Sequence, residues 1–475
     1  MRKLLLLCTL VVLLVSGITA CQPAAQNGAS NQSTPLPPSP TAIRPTNTAV
    51  PLPSPTPNPL LQVPAEQLNG LEIHFWHPWS GSLAKALETV TQEFNSTNAW
   101  GIQIITTPAG GTQVLVDMMD AAVSEDDLPD VVIASSEQLL SWEEQLAVFT
   151  DLNPYITYPQ WGFTTEEQAD IPQIYWDQDR SSEKQIALPG VRDMHVLFYN
   201  LTWAQELGYQ QAPETMRDFS SQVCSAAKER KDVDQTGGWI ISTDAYTTYS
   251  WLTAAGAAGL YDAEANRYQF TSPETQSTLT TLKQLAVNEC LWIPRLAEPY
   301  DYFAGRQALL YSGSLTDIIP QKRAMDRAAS ADQWGILPYP SGQADTPVVV
   351  NGSSYAITES TPEEQLAAWL FLRFLALPRN QAALTRPTGF LPVSQSAYDE
   401  LGSFLAEYPQ WSASRNWLPM AVVAPVTGSW TVAQHLLEDA AWQIYQPFTA
   451  ADGIPVMLKQ LDEMIPEVLS EQEPK

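Results

Sequence analysis

From residue 71 onward the chain keeps switching between two hydrophobic periods, and that switching narrows the accessible folds more than any other feature. Leu71-Glu72-Ile73-His74-Phe75-Trp76 alternates with period two, as a half-buried strand does, whereas Leu83, Leu87, Val90 and Phe94 recur at helical spacing after Ser80-Gly81. The pattern repeats as strand over 102–106 and helix over 112–123, then strand over 131–134 and helix over 137–147. Strands joined through helices lie side by side with the helices on the sheet faces, so an α/β fold with a mostly parallel, doubly wound sheet is predicted. Ligands of such sheets bind at the carboxyl ends of strands, where helices begin and their amides point outward. His77-Pro78-Trp79-Ser80 and Ser135-Ser136-Glu137 fall at two of those ends. A later block, about 190–333, has helices of its own over 215–230 and 273–289 and few long strands, and is expected to form a second lobe. A length of 475 residues, more than a single core holds, gives the same division.

Charge removes whole classes of partner. With 52 Asp+Glu against 24 Lys+Arg the net charge is -28, so no nucleic acid is expected as partner, and no attraction to an anionic membrane face, since both depend on clustered Lys/Arg. At only 16% charged and 10% aromatic residues, the chain is no disordered polyelectrolyte either.

The start of the chain is read separately. Arg2-Lys3 precedes a run from Leu4 to Val15 in which only Thr9 is polar, followed by Ile18-Thr19-Ala20-Cys21. This run is too short for the roughly 20 residues of a spanning helix, and with its basic start it reads as an export signal over residues 1–20. Its end resembles the lipobox of bacterial lipoproteins, which makes Cys21 the expected lipid attachment point and the membrane a partner through that anchor. From Gln22 to Leu60, 11 of 39 residues are Pro and Arg44 is the only charge. Such sequence stays extended at about 3.1 Å per residue, so 21–64 is expected to be a Cys-anchored stalk of up to roughly 100 Å.

Catalytic signatures are missing. The four histidines (74, 77, 195, 435) have no metal-ligand spacing, and H-E-x-x-H, C-x-x-C, G-x-S-x-G and any G-K pair are absent, so no metal and no cofactor are expected. Asp232-x-Asp234-x-Thr236-Gly237 imitates a calcium loop but has Thr243 where a bidentate Glu is needed, and is read as a turn. Cys224 and Cys290 are left as a pair, each placed near the end of a second-lobe helix; in an exported chain a structural disulfide is expected. The aromatic excess, 16 Trp and 17 Tyr, suits sugar rings, whose C–H faces stack on flat side chains while carboxylates and amides take the hydroxyls. Trp79, Tyr246, Tyr249 and Trp430 sit in loops or at helix starts, whereas Trp142, Trp369 and Trp442 sit within helical patterns and are read as packing.

Several strings together resemble one family. These are Leu71-Glu72-Ile73-His74-Phe75-Trp76-His77-Pro78-Trp79-Ser80-Gly81, Leu128-Pro129-Asp130-Val131-Val132, Leu188-Pro189 with Val196-Leu197-Phe198-Tyr199-Asn200, and Tyr311-Ser312-Gly313-Ser314-Leu315. Trp334-Gly335-Ile336-Leu337-Pro338, Asn351-Gly352-Ser353-Ser354 and Thr388-Gly389-Phe390-Leu391-Pro392-Val393 follow in order. Over roughly 65–470 the chain is similar to the extracellular solute-binding proteins of ABC importers, of the maltose-binding and glycerol-3-phosphate-binding type. The resemblance implies a two-lobe periplasmic-binding-protein fold, type II-like, hinged by three crossings near 187–192, 335–347 and 386–393. Lobe 1 would comprise 65–187 with 348–386, and lobe 2 would comprise 192–335 with 393–470. A monomer handing its solute to ABC permease subunits is implied.

Ligand residues implied by the resemblance are Trp79, Ser80 and Gly81 after the first strand, Ser136 and Glu137 after the third, and Arg192 and Asp193 past the first crossing. Asp244, Tyr246, Ser312 and Ser314 come from the second lobe, with Gly352, Ser353, Phe390 and Trp430 completing the set. Each also has a plainer reading, such as Ser80 as an N-cap, Gly352 as a bulge and Asp193 as a solvated loop acid. Glycerophosphodiester binders of the family carry an Arg in the late loop that here reads Pro425-Val426-Thr427-Gly428-Ser429-Trp430-Thr431. Phosphate wants Arg or oriented amides, so its absence favours a neutral saccharide, while Arg192 keeps the phosphodiester alternative open. A secreted carbohydrate-active hydrolase and a sugar-binding adhesin are the rival functions.

Overall fold

Strand β1 (Glu72–His77) buries Ile73, Phe75 and His77 and turns Glu72 and His74 to solvent, as its period-two alternation requires. The computed structural model describes residues 61–472 except 126, 258 and 295–297; the expected signal segment, Cys21 and the stalk through Leu60 lie outside the described residues. Helix α1 (Gly81–Thr97) follows and lays Leu83, Leu87, Val90 and Phe94 on the core. Then come β2 (Gln103–Pro108), α2 (Thr112–Glu125), β3 (Val131–Ser135) and α3 (Ser136–Leu146). Both β2 and β3 pair with β1 in parallel, as strand–helix–strand connections demand.

The centre of the molecule is β4 (Leu188–Asn200), all thirteen of whose residues are buried. Beyond it lie α4 (Met216–Arg230), β5 (Trp239–Ile240), α5 (Ala245–Ala254), α6 (Pro273–Val287), β6 (Leu291–Trp292), β7 (Leu310–Ser314) and β8 (Trp334–Leu337). Next are β9 (Val348–Ile357), α7 (Pro362–Leu375), β10 (Leu391–Pro392), β11 (Ala421–Val422), α8 (Trp430–Tyr445) and α9 (Ile454–Gln472). One eleven-stranded sheet runs in the order β6-β5-β7-β4-β9-β3-β1-β2, with β8 and β10 on β4 and β11 on β9. The sheet is parallel at its flanks, and the short β11 also joins β9 in parallel. Its middle pairs β3–β9, β9–β4 and β4–β7 are antiparallel, because β4 and β9 carry the chain between flanks in opposite directions rather than through crossover helices. The first half of β4 pairs with β9 and its second half with β7 and β8, so one strand belongs to both lobes.

Packing follows the same continuity. The largest apolar cluster joins Phe75, Phe94, Trp369 and Phe371 to Tyr311, Leu315 and Ile318 through residues of β4 itself, Phe198 among them. A second cluster gathers Phe219, Trp239, Trp251, Leu279, Trp430 and Ile454. The disulfide Cys224–Cys290 lies at its edge with Cα atoms 4.5 Å apart, but Cys224 is in the middle of α4 rather than near its end. Trp142 and Trp369 are buried as expected for packing; Trp442 is not, being 49% exposed, because its position on α8 lies off the face that carries Leu437, Ala441 and Ile444 into the core.

Candidate functional site

β3 ends at Ser135 and α3 begins at once, which puts Ser136 and Glu137 at the carboxyl edge of the first flank. Ser136 Oγ donates to Asp179 Oδ1 at 2.6 Å. Glu137 Oε1 accepts from the Tyr246 hydroxyl at 3.0 Å, and Tyr246 belongs to the first turn of α5 on the other flank. The Tyr246 ring stacks on His195 with centroids 5.1 Å apart, and His195 Nε2 is 3.2 Å from Asn351 Oδ1. A second bridge runs from the late loop: the Gly428 amide donates to Glu144 Oε1 at 3.0 Å, and a Cβ on Gly428 would strike Ser141 of α3. The lobes therefore touch here, leaving between Glu137, Gln178, Tyr246 and Pro425 a gap of about 10 Å³, at the lower limit for one water. Burial raises the Glu137 pKa, against hydrogen bonds from its own amide, Ser135 and Tyr246.

Beside this contact lies a cavity of about 450 Å³ at the carboxyl ends of the parallel strands β5, β6 and β7. Asp244, Ser312 and Ser314 line it, together with His195, Tyr300 and Trp442. Asp244 caps α5, accepting from the Thr247 amide at 2.8 Å and from Ser242 Oγ at 2.6 Å. Its burial opposes ionisation but is outweighed by the His195 charge and by these donors, so its pKa is lowered. Asp317 accepts from the Tyr300 hydroxyl at 2.7 Å and the Ser314 amide at 3.0 Å, and burial pushes its pKa up to about 6. Gly313 makes this possible, since a Cβ there would collide with the Asp317 carboxylate. No Lys or Arg is among the described residues of the lining.

The remaining expected residues are dispersed. Arg192 is a correction: it is fully buried and has no donor left for a ligand. Its Nε donates to Gln178 Oε1 (2.9 Å), its Nη1 to the carbonyls of Val191 and Ser353 (3.0 Å each), and its Nη2 to Ser354 Oγ (3.0 Å) and Asp179 Oδ2 (3.2 Å). Asp193 is no solvated loop acid; it lies on β4, its carboxylate accepting from the Met194 amide at 2.8 Å and Thr316 Oγ1 at 3.0 Å. Gly352 faces Val191 so closely that a Cβ would meet its carbonyl oxygen, and the register shifts between its neighbours Ser353 and Ser354. Trp79 is half-buried with its ring 5.9 Å from His77, and Phe390 also packs on the large cluster. Ser80 is exposed at the N-cap of α1 without capping it by side chain, and Gly81 opens the helix at φ +60°. Trp430 is wholly buried against Tyr249 and Tyr268, so the loop tryptophan expected to stack on ligand belongs to the second core.

Sequence reasoning passed over Gln178, His195, Tyr300, Asn351, Asp317 and Trp442. Period two along β4 puts His195 on the same face as Asp193 and could have nominated it. Nothing local marks Trp442, since a Trp inside a helical pattern usually packs.

Known proteins bear on this geometry. The profile of the bacterial extracellular solute-binding proteins matches residues 89–413. The sn-glycerol-3-phosphate-binding periplasmic protein UgpB of Escherichia coli (strain K12) is 22% identical over 341 residues, covering 69% of this chain and 75% of its own. Among solved structures, the sugar-binding protein MalE of Xanthomonas citri superposes with a TM-score of 0.71 at 18% identity, covering 85% of this chain and 100% of that one. UgpB of Mycobacterium tuberculosis in complex with glycerophosphocholine gives 0.70 at 18%, covering 84% and 99%. These likenesses show the two-lobe periplasmic-binding-protein fold, and the profile, spanning well over half of the sequence, shows the family: the chain belongs to the bacterial extracellular solute-binding proteins.

Proposed function

We propose that this protein is the receptor of an ABC importer that closes its two lobes on a neutral saccharide and presents the closed form to the permease, without breaking a bond. The observation that carries the reading is the cavity at the ends of β5, β6 and β7. It offers an ionised carboxylate, serine hydroxyls and aromatic rings, with His195 and no Lys or Arg among its described residues, beside an interlobe contact that ligand on both sides would reinforce. Ligand shifts the open–closed equilibrium because it touches both lobes, a hinge closure in which micromolar binding supplies about 8 kcal/mol. Acylation at Cys21 and the Pro-rich stalk would hold a monomeric receptor at the outer face of the membrane. Among the described residues no helix is long and apolar enough to cross one.

The relatives named for glycerol-3-phosphate and glycerophosphocholine favour a second ligand class, a glycerophosphodiester. Arg295, between lining residues Pro294 and Glu298 in sequence, lies outside the described residues, so the test carries both classes. In a thermal-shift panel of saccharides and glycerophosphodiesters, a ligand at 100 times its Kd adds about 2.7 kcal/mol of stability. A neutral sugar should raise the melting temperature and compact the molecule in X-ray scattering. A shift by glycerophosphodiesters alone would replace the ligand class, and turnover of a glycoside would replace the receptor reading.

A further inference from the structure

We propose that Trp442, with Phe448 beside it, is an outer stacking platform that makes the cleft an oligosaccharide site, holding a sugar ring beyond the one taken by Asp244, Ser312 and Ser314. The inference rests on the saccharide reading above and extends it to chain length. Trp442 lines the 450 Å³ cavity while remaining 49% exposed. Phe448 is 74% exposed, and its ring centroid lies 6.3 Å from that of Trp442 at a tilt of 56°. The rings are not displaced core residues: α8 already buries Trp430, Leu437, Ile444 and Tyr445 on its inner side.

The position of Trp442 has a structural cause. Glu438, one turn earlier on α8, accepts from the Ala245 amide at 3.3 Å and so docks this side of α8 against the start of α5. Trp442, at i+4, then stands next to the Ser242–Asp244 turn, where the ionised acid caps α5. A flat apolar face beside a carboxylate and hydroxyls matches a pyranose, which shows C–H groups on its faces and hydroxyls around its edge. The cavity volume falls in the range of about 300–1,000 Å³ usual for ligand sites, and because Trp442 is at the open rim a chain bound inward can run outward over it.

Calorimetric titration of the intact protein with gluco-, cello- and manno-oligosaccharides of one to six units tests this. In the wild type, affinity should step up by about 10-fold or more at the unit that first reaches the platform. Trp442→Ala should remove that step and leave shorter members bound as before, Trp442→Phe should restore most of it, and Phe448→Ala should weaken only the longest members. Since both rings are exposed, melting temperatures should not change. Equal affinities of wild type and Trp442→Ala for every length, or an equal loss at every length, overturns the platform while sugar binding stands. If no sugar of any length binds the wild type while a glycerophosphodiester does, the saccharide reading has failed and the platform falls with it.

Discussion

Replacing Arg192 by methionine should cost the fold about 3–5 kcal/mol and leave ligand selectivity between sugars and phosphodiesters unchanged. Arg192 and Asp179 are both fully buried, 3.2 Å apart. In the variant the Asp179 carboxylate keeps the hydroxyls of Ser136 and Ser354, each at 2.6 Å, but loses its counter-charge while fully shielded from bulk solvent. Five other acceptors, Gln178, Ser354 Oγ and the carbonyls of Tyr175, Val191 and Ser353, lose the Arg192 donor as well. Unfolding entropy of about 2.1 cal/mol/K per residue scales to roughly 0.9 kcal/mol/K over the folded body, so the melting temperature should fall by about 3–6 °C. The partner change Asp179→Asn should also destabilise. The double variant should lose less than the sum of the two, since no uncompensated charge remains. Urea titrations of the four proteins, followed by tryptophan fluorescence, supply the cycle. A single-variant loss below about 1 kcal/mol, or strict additivity, would refute a structural role for the buried Arg192–Asp179 pair; unchanged stability with abolished phosphodiester binding would return Arg192 to the ligand site.

Reducing Cys224–Cys290, which closes a separation of 66 residues, should lower stability by about 4 kcal/mol in the chain-entropy estimate and leave binding stoichiometry intact; two free thiols titrated in unreduced, unfolded protein would rule the bridge out. Trp369→Ala should cost about 3–5 kcal/mol as a core truncation that also frees the Trp161 carbonyl, 2.9 Å from its Nε1, while folded molecules bind normally, as measured by a melt and a titration on one sample. Burial at the interlobe contact raises the Glu137 pKa above 4.5, so the closed form binds the proton more tightly than a solvated open form. Closure is then favoured as pH falls through the raised value and disfavoured as the carboxylate ionises above it. The scattering radius of unliganded protein should shrink on acidification and lose this trend in Glu137→Gln; expansion on acidification would contradict it.

Local periodicity was enough for the strands at 72–77, 103–108 and 131–135 and for the helices between them, because each element there buries one face against neighbours close in sequence. It misjudged the middle of the sheet. β4 carries Arg192, Asp193, His195 and Asn200 among apolar residues, and whether such a strand is a surface loop or a core depends on partners as distant as Gln178, Asn351 and Asp332. The same remoteness separates the ligand candidates. Asp244, Ser312 and Ser314 could be placed at strand ends, but Trp430, expected in the site, is buried in the core, and Trp442, expected to pack, is exposed beside the cavity. Which side of α8 faces the core is set by α5 and α9, and neither contact leaves a trace in the sequence of the helix itself.

Because β4 pairs with both flanks and one apolar cluster continues across it, neither lobe can be cut out of the gene as a module: each would take half a strand and expose the other's core. Shuffling whole lobes between relatives is thereby closed as a route to new specificity. What remains free to vary are the loops at the strand ends, such as 242–244 and 424–430, which the backbone ladder of β4 does not constrain. A receptor built this way should diversify its ligand by exchanging short loops around a strand that stays put, and its β4 amides should be among the last to exchange with solvent, opening only when both lobes unfold together.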